Sequence, residues 1–120
     1  MKIAVTCIGD TSGMTVDPRF GRAAQLLIHD TKTGASRIVD NTQNLNAAQG
    51  AGIQTAQHVI DEGAEAVITG NCGPKAFRVL TAAGIKIYTV QDVTVKEALQ
   101  ACEENRLTAV SAATVEGHWV

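Results

Sequence analysis

The stretch EAVITGNCGPKAFRVLTAAGIKIYTV, residues 65–90, predicts a strand, a helix and a second strand in succession. Residues 65–69 form a short apolar run with β-branched side chains, and the apolar residues that follow Gly73 have helical spacing. Pro74 lies in the first turn of the helix, where its missing N–H costs nothing, and Gly84 ends the helix. A helix that joins two strands in this way makes them parallel neighbours with a right-handed crossover. The stretch therefore predicts an α/β fold.

The N-terminal part of the chain predicts a meander of three antiparallel strands. Lys2–Ile8 is apolar in both of its alternations, which is typical of a strand covered on both faces. Residues 23–30 and 35–41 are predicted to be the second and third strands, and the turn TKTG between them ends in glycine. Residues 9–18 are rich in turn formers and are expected to be a loop.

Two further helices complete the pattern. The first ends at Gly63 and is predicted from four apolar residues at helical spacing, Ile53, Ala56, Val59 and Ile60. Residues 94–105 are predicted to be the last helix, which begins at a Thr-x-x-Glu capping box. The order βββαβαβα predicts a five-stranded mixed sheet flanked by helices, the ribonuclease-H-like arrangement. We expect a single domain over residues 1–105, with residues 106–120 as its loosely attached C-terminal extension.

Length, charge and hydropathy exclude several classes of protein. The chain has 120 residues and a formal net charge of −2, whereas a general nucleic-acid binder usually carries a basic face. No apolar run approaches the roughly 20 residues that span a bilayer, so no membrane partner is expected. The cysteines match no zinc template, and we expect them to be thiols in a cytoplasmic protein.

A ligand site is expected at the carboxyl ends of the parallel strands, where open α/β sheets collect their ligands. Three segments should meet there, residues 9–22, 49–52 and 70–75. The last two are glycine-bearing helix starts, whose unpaired N–H groups and helix dipole favour an anion. The neighbouring cations are Arg19, Arg22 and Lys75. The alternative interpretation is that the glycines only make turns and the arginine stems only cover core surface.

The cysteines differ in their expected roles. Cys102 lies on the apolar stripe of the last helix and Cys7 alternates with apolar residues in the first strand, so both are predicted to be buried. Cys72 lies at a helix N-terminus, which lowers the pKa of a thiol and favours the thiolate. We therefore expect Cys72 to be accessible and to be a candidate ligand of a soft metal or sulfide cluster. His58 is predicted to be solvated, because it lies opposite the apolar stripe of its helix.

Three segments, FGRA (residues 20–23), GAGIQTAQ (residues 50–57) and VITGNCGPKAF (residues 67–77), resemble the dinitrogenase iron–molybdenum cofactor biosynthesis family. Together they are more specific than any single glycine motif, and the resemblance covers residues 1–105. It implies a ribonuclease-H-like domain that binds or carries metal–sulfur cofactors and their precursors. The family's small stand-alone members include the orange proteins, which hold a molybdenum–copper sulfide cluster, and this chain is similar to them in size.

The chain departs from the family pattern at two positions. Many members have a histidine before FGR and another before the GAG glycines, where this chain has Arg19 and Gln49. A guanidinium and an amide suit the capture of a preformed anionic cluster better than the direct coordination of iron. The expected cofactor-binding residues are Arg19, Phe20, Gly21, Arg22, Gln49, Gly50, Gly52, Asn71, Cys72, Gly73 and Lys75, with Cys72 as the metal ligand.

These features predict a non-enzymatic carrier of an anionic metal–sulfide cluster, used in cofactor assembly, storage or delivery. The resemblance implies a molybdenum–copper sulfide cluster or an iron–molybdenum–sulfur cofactor precursor, and a protein partner could supply or receive it. A nuclease would need grouped carboxylates for two metal ions, and Asp10, Asp17 and Asp92 show no such grouping in the sequence. The alternative function is a regulatory interaction module whose cluster pocket is vestigial.

Overall fold

The computed structural model of the chain describes residues 1–9, 13–41 and 50–113. Six strands and three helices lie in these ranges. In chain order they are β1 (Lys2–Ile8), β2 (Thr15–Val16), β3 (Gln25–Asp30), β4 (Ser36–Asp40), α1 (Ala51–Asp61), β5 (Ala66–Thr69), α2 (Pro74–Ala82), β6 (Lys86–Thr89) and α3 (Val95–Glu103).

The strands form one mixed sheet in the order β4-β3-β1-β5-β6. β1 pairs antiparallel with β3, and β3 pairs antiparallel with β4, as expected of a meander. β1 pairs parallel with β5, and β5 pairs parallel with β6, as expected of two helical crossovers. The predicted α/β class with a mixed ribonuclease-H-like sheet is confirmed.

A sixth strand, β2, adds to the five that the sequence predicts. It pairs antiparallel with the end of β1 through Cys7 and Val16 and through Ile8 and Thr15. Since Cys7 also pairs with Gln25 of β3, β2 lies on the same edge of β1 as β5, beyond the end of β5. A strand of two residues is too short to show an alternating pattern, so the sequence predicts only a loop for residues 9–18.

The sheet separates two apolar cores, which explains why β1 is apolar in both alternations. One face of the sheet, with Ala4, Leu26 and Val67, packs against α1 and α2. The other face, with Ile3, Val5 and Cys7, packs against α3. Each side chain of a strand points to the face opposite its neighbour's, so a central strand between two helical layers has no solvated side.

Helix α1 presents the predicted face to the core through Ala56, Val59 and Ile60 but not through Ile53. Ile53 is 42% exposed, whereas Thr55 and Ala56 are fully buried. The buried stripe follows the helical spacing Gly52, Thr55, Ala56 and Val59. The prediction that Ile53 belongs to the stripe is wrong, and the polar residue Thr55 belongs to it instead. Thr55 can occupy a core position because its hydroxyl is hydrogen-bonded to Asn41 and to the Gly21 carbonyl.

Residues 106–113 continue the fold beyond α3. The Val110 N–H donates to the Ile87 carbonyl at 2.8 Å, and Ala109 bridges to Tyr88 in β6. Leu107 packs on the α3 side of the sheet and Val110 on the opposite side. The edge of β6 is thereby partly paired. Within the described residues no helix is long and apolar enough to cross a membrane.

Gly70 is the point at which two loops come closest. A Cβ atom placed on Gly70 would lie 2.4 Å from the Pro18 Cα and 2.9 Å from the Pro18 oxygen. The contact is with backbone, so no side-chain rotation can relieve it. The Gly70 N–H also donates to the Asp17 carbonyl at 3.3 Å. Glycine is therefore required at this position by space.

We expect Gly70→Ala to lower the free energy of unfolding by about 2 kcal/mol or more, because the added methyl group displaces the backbone at Pro18. Urea denaturation followed by circular dichroism measures the loss. Gly13→Ala is the matched control, since a Cβ there meets nothing within 4 Å. Equal stability of the two variants would show that the loop at Pro18 yields freely.

Candidate functional site

The segment from Arg19 to Arg22, which we call the arginine segment, contacts the turn between β5 and α2. The Phe20 N–H donates to the Asn71 carbonyl at 3.1 Å, and the Asn71 Nδ2 donates to the Pro18 carbonyl at 3.2 Å. Arg19 and Asn71 form an isolated parallel bridge. The Phe20 side chain is fully buried and anchors the segment in the core. The structure thus joins two of the three segments that the sequence predicts to meet.

Buried hydroxyl groups hold the beginning of this segment. The Asp17 carbonyl oxygen lies 2.9 Å from the Thr6 hydroxyl and 3.4 Å from the Thr69 hydroxyl, and it accepts from one of them, because the other hydroxyl hydrogen lies between the two threonines. The two hydroxyl oxygens are 2.8 Å apart, and the Asp17 N–H donates to the Thr6 carbonyl at 2.8 Å. β1 and β5 are neighbouring parallel strands, so their threonines fix the Asp17 backbone beside β1 and beyond the end of β5.

The carboxylate of Asp17 is buried beside Arg19, which the sequence analysis does not predict. Its side chain is 2% exposed, and Oδ1 accepts from the Arg19 N–H at 2.9 Å. The Arg19 Nε lies 3.8 Å from the same oxygen. Burial raises the pKa of Asp17, and the hydrogen bond and charge of Arg19 oppose that shift. The contact has a signal in the sequence: Asp17 lies two residues before the Arg19 N–H from which it accepts, and this is the spacing of an Asx turn.

A second polar network holds the backbone on both sides of Arg22. The Asn41 Nδ2 donates to the Ala23 carbonyl at 2.7 Å and to the Thr55 hydroxyl at 3.0 Å. The Thr55 hydroxyl in turn donates to the Gly21 carbonyl at 3.3 Å. Asn41 and Thr55 are fully buried, so these bonds link the arginine segment firmly to α1.

His58 belongs to the same network, and its predicted solvation is wrong. The ring is half-buried, with Nδ1 at 2.6 Å from the Asn41 Oδ1. Because the Asn41 amide nitrogen faces an acceptor carbonyl, its oxygen must face His58, and the histidine Nδ1 therefore carries the hydrogen. The buried asparagine at the end of β4 supplies a partner that periodicity alone does not reveal.

The helices at this site begin differently from the remaining helix. α1 begins after Gly50, a left-handed residue with φ 79°, and α2 begins after Gly73; neither has a side-chain cap or an acidic residue in its first turn. In contrast, α3 has the predicted capping box, in which the Thr94 hydroxyl and the Glu97 carboxylate satisfy N-terminal N–H groups. Among the residues that the structure describes, no N-cap side chain therefore accepts from the N-terminal N–H groups of α1 and α2, and the partial positive charge at these helix ends favours an anion.

The predicted site residues fall into three groups by exposure. Arg19 and Lys75 are exposed, and Arg22, Gly50 and Asn71 are half-buried. The buried members are Phe20, Gly21, Gly52, Cys72 and Gly73. Gln49 lies outside the described residues. We use the term cation surface for Arg19, Arg22 and Lys75 together with the N-termini of α1 and α2.

Cys72 is not the accessible thiolate that the sequence predicts. Its side chain is fully buried in the core beneath α1 and α2, and burial raises the pKa of its thiol to about 12. Desolvation has therefore outweighed the helix N-terminus, which acts in the opposite direction. The assignment of Cys72 as a metal ligand stays a prediction, and it would require the turn at residues 70–73 to open. The predicted burial of Cys7 and Cys102 is confirmed.

The donor set fits an anion better than a bare metal ion. Among residues 1–9, 13–41 and 50–113, no group of three or more histidine, cysteine, aspartate or glutamate side chains could hold a metal ion. The cation surface instead offers guanidinium, ammonium and backbone N–H donors. Donors of these types suit the outer atoms of an anion rather than a metal ion itself.

Comparison with known proteins gives consistent matches. The family model described as dinitrogenase iron-molybdenum cofactor matches residues 1–105. The apo form of the orange protein from Desulfovibrio gigas is 39% identical, with a TM-score of 0.91 over 95% of this chain and 96% of that one. A Thermotoga protein of known solution structure is 36% identical, with a TM-score of 0.82 over 97% and 98% of the two chains. An uncharacterised Methanocaldococcus jannaschii protein is 30% identical over 77% of this chain and 80% of its own.

We expect all three cysteines to resist alkylation in the native protein, because the burial of each raises the pKa of its thiol. Iodoacetamide labelling followed by peptide mapping measures the rate at each position, and labelling in denaturant gives the reference. Cys102, at 8% exposure, should be the first to react. Rapid native labelling of Cys72 would show that the turn at residues 70–73 opens in solution.

We expect Asp17→Asn to stabilise the protein at neutral pH. A carboxyl whose pKa is raised on folding stabilises the fold when protonated, and that contribution is lost as pH rises through the folded pKa. Asparagine resembles the protonated form, so its advantage should shrink as the pH falls. Thermal unfolding of both proteins across acid and neutral pH measures the difference. A variant that is less stable at neutral pH would mean that the ion pair with Arg19 outweighs the desolvation of Asp17.

Proposed function

The chain belongs to the dinitrogenase iron-molybdenum cofactor family, and we propose that it is a non-enzymatic carrier that binds a preformed anionic metal–sulfide cluster on the cation surface. The cargo that we propose is a molybdenum–copper sulfide cluster, or alternatively an iron–molybdenum–sulfur cofactor precursor. We further propose that a protein partner supplies or receives it in the cytoplasm, the compartment in which cysteines remain thiols.

The observation that carries this proposal is the contrast among the three helix N-termini. α3, which lies on the far side of the sheet, has both a side-chain cap and an acidic first turn. α1 and α2 have neither, and the arginine segment is hydrogen-bonded to residues at or near their first turns. The N-cap residues of α1 and α2 are glycines, and a glycine cap costs only about a few tenths of a kcal/mol relative to a Ser, Thr, Asp or Asn cap. An anionic ligand that accepts from the first-turn N–H groups of α1 and α2 would restore this loss when it binds.

The strength available from such contacts is sufficient for a carrier. Charge-assisted hydrogen bonds contribute about 1.5–3 kcal/mol each, so a few of them hold a polyanion without any bond between protein and metal. Arg22 is half-buried, and the carbonyls of the residues before and after it accept hydrogen bonds from the buried Thr55 and Asn41 side chains. The backbone at Arg22 is therefore already ordered, and cluster binding costs little further backbone entropy. A cluster held by its outer sulfides can also be released intact.

The proposal includes Arg22 as a principal contact. We expect Arg22→Ala to weaken retention of a cluster assembled from tetrathiomolybdate and copper(I) by about tenfold, because one charge-assisted hydrogen bond accounts for about that factor. Visible absorption that stays with the protein on a desalting column measures retention. Raising the salt concentration should lower retention of the wild-type cluster, because the contacts are partly exposed.

Arg106→Ala is the matched control, since it removes the same charge at a residue that pairs with Glu104 at the end of α3. It should leave retention unchanged. Cys72→Ser separates charge capture from ligation by the thiolate. Loss of binding in Cys72→Ser together with full binding in Arg22→Ala would overturn the electrostatic proposal, and a wild-type protein that retains no cluster at all would favour the vestigial-pocket module.

A further inference from the structure

Arg19 has a counter-ion inside the protein, the carboxylate of Asp17. The Asp17 carboxylate lies beneath it, with Oδ1 at 3.8 Å from the Arg19 Nε. The aspartate side chain is 2% exposed and the arginine side chain 46% exposed, so the carboxylate faces the protein and the guanidinium faces solvent. The Asp17 carbonyl is held by Thr6, Thr69 and Gly70, which prevents the residue from turning outward.

Two other charged or titratable groups interact with this carboxylate. Arg19 lowers the pKa of Asp17 through its backbone N–H and its charge. Cys7 in β1 senses the aspartate, and burial together with the charge of Asp17 raises the pKa of its thiol to about 11. The thiol is therefore neutral at physiological pH, and Arg19 is the cation that balances Asp17. Its own charge is correspondingly less available to an external anion.

Building on the proposed function, we propose that Asp17 sets the anion affinity of the cation surface and that anion binding is coupled to protonation of Asp17. An anion that reaches Arg19 brings a second negative charge toward the buried carboxylate. Two like charges that share one cation in a region of low dielectric favour protonation of the buried one. The step is an acid–base equilibrium: a proton from solvent bonds to a carboxylate oxygen of Asp17, and no electron is transferred.

The direction of the coupling follows from the position of Asp17. Burial already raises its pKa above the ordinary aspartate value, which moves its titration toward neutral pH. The bound anion raises the pKa further, so protons are taken up on binding. Anion affinity should therefore rise as the pH falls through the raised pKa of Asp17.

The test is titration calorimetry with tetrathiomolybdate at about pH 6, in two buffers that differ in ionisation enthalpy, since the difference in heat counts the protons taken up. Wild-type protein should take up a fraction of a proton per anion bound. Asp17→Asn should show no uptake beyond that of the anion itself and should bind roughly three- to tenfold more tightly, because one negative charge has been removed near Arg19. The asparagine Oδ1 still accepts from the Arg19 N–H, so the turn is preserved.

Asp61→Asn is the matched control for net charge, because Asp61 is exposed at the opposite end of α1 and bonds to Gln57. It should match wild type in both affinity and proton uptake. If Asp17→Asn does not fold, Arg19→Gln replaces it, and this variant should bind more weakly with no uptake by Asp17. Binding without proton uptake in wild type would overturn the coupling and leave the carrier proposal intact, whereas an absence of tetrathiomolybdate binding at any pH would overturn the carrier proposal itself.

Discussion

The contact between Gly70 and the backbone of Pro18 is the constraint on which the site depends. It brings the end of β5 against the segment that follows β2, at a distance that only glycine permits. The Asp17 carbonyl then accepts from the Gly70 N–H and from the hydrogen-bonded pair of Thr6 and Thr69 hydroxyls, so two hydrogen bonds converge on one oxygen. A carbonyl oxygen has two lone pairs, and these two donors use both. The parallel pairing of β1 and β5 therefore determines where Arg19 emerges.

The fold was largely predictable, because its signals are local and periodic. The β-α-β stretch, the two-sided apolar β1 and the capping box at Thr94 each correspond to an observed element. The site was less predictable, because burial is a property of the tertiary structure. Helix position alone favoured a reactive Cys72, yet the side chain turns into the core. Asn41 and Thr55 are buried polar residues whose partners lie far away in the sequence, so no periodic pattern reveals them.

The distribution of caps shows how stability and binding are divided over the molecule. α3 satisfies its N-terminal groups internally and has no need of a ligand there. α1 and α2 begin at glycines without side-chain acceptors, which leaves part of their stability to whatever binds. A ligand that binds only the folded state stabilises the protein in proportion to its affinity. An empty carrier would accordingly be less stable than a loaded one, and the difference would be concentrated at the cation surface.

The acidic composition of the chain and its proposed anionic cargo are compatible for a physical reason. A formal net charge of −2 weakly repels an anion at long range, but salt screens such fields within about 10 Å. Binding is then decided by the groups in contact, which are cations and N–H donors. A carrier must also release its cargo, and affinity that rises without limit would prevent this. A buried carboxylate beneath one arginine reduces the attraction while leaving every outward donor in place. Asp17 is such a group, and its position out of solvent protects its effect from screening by salt.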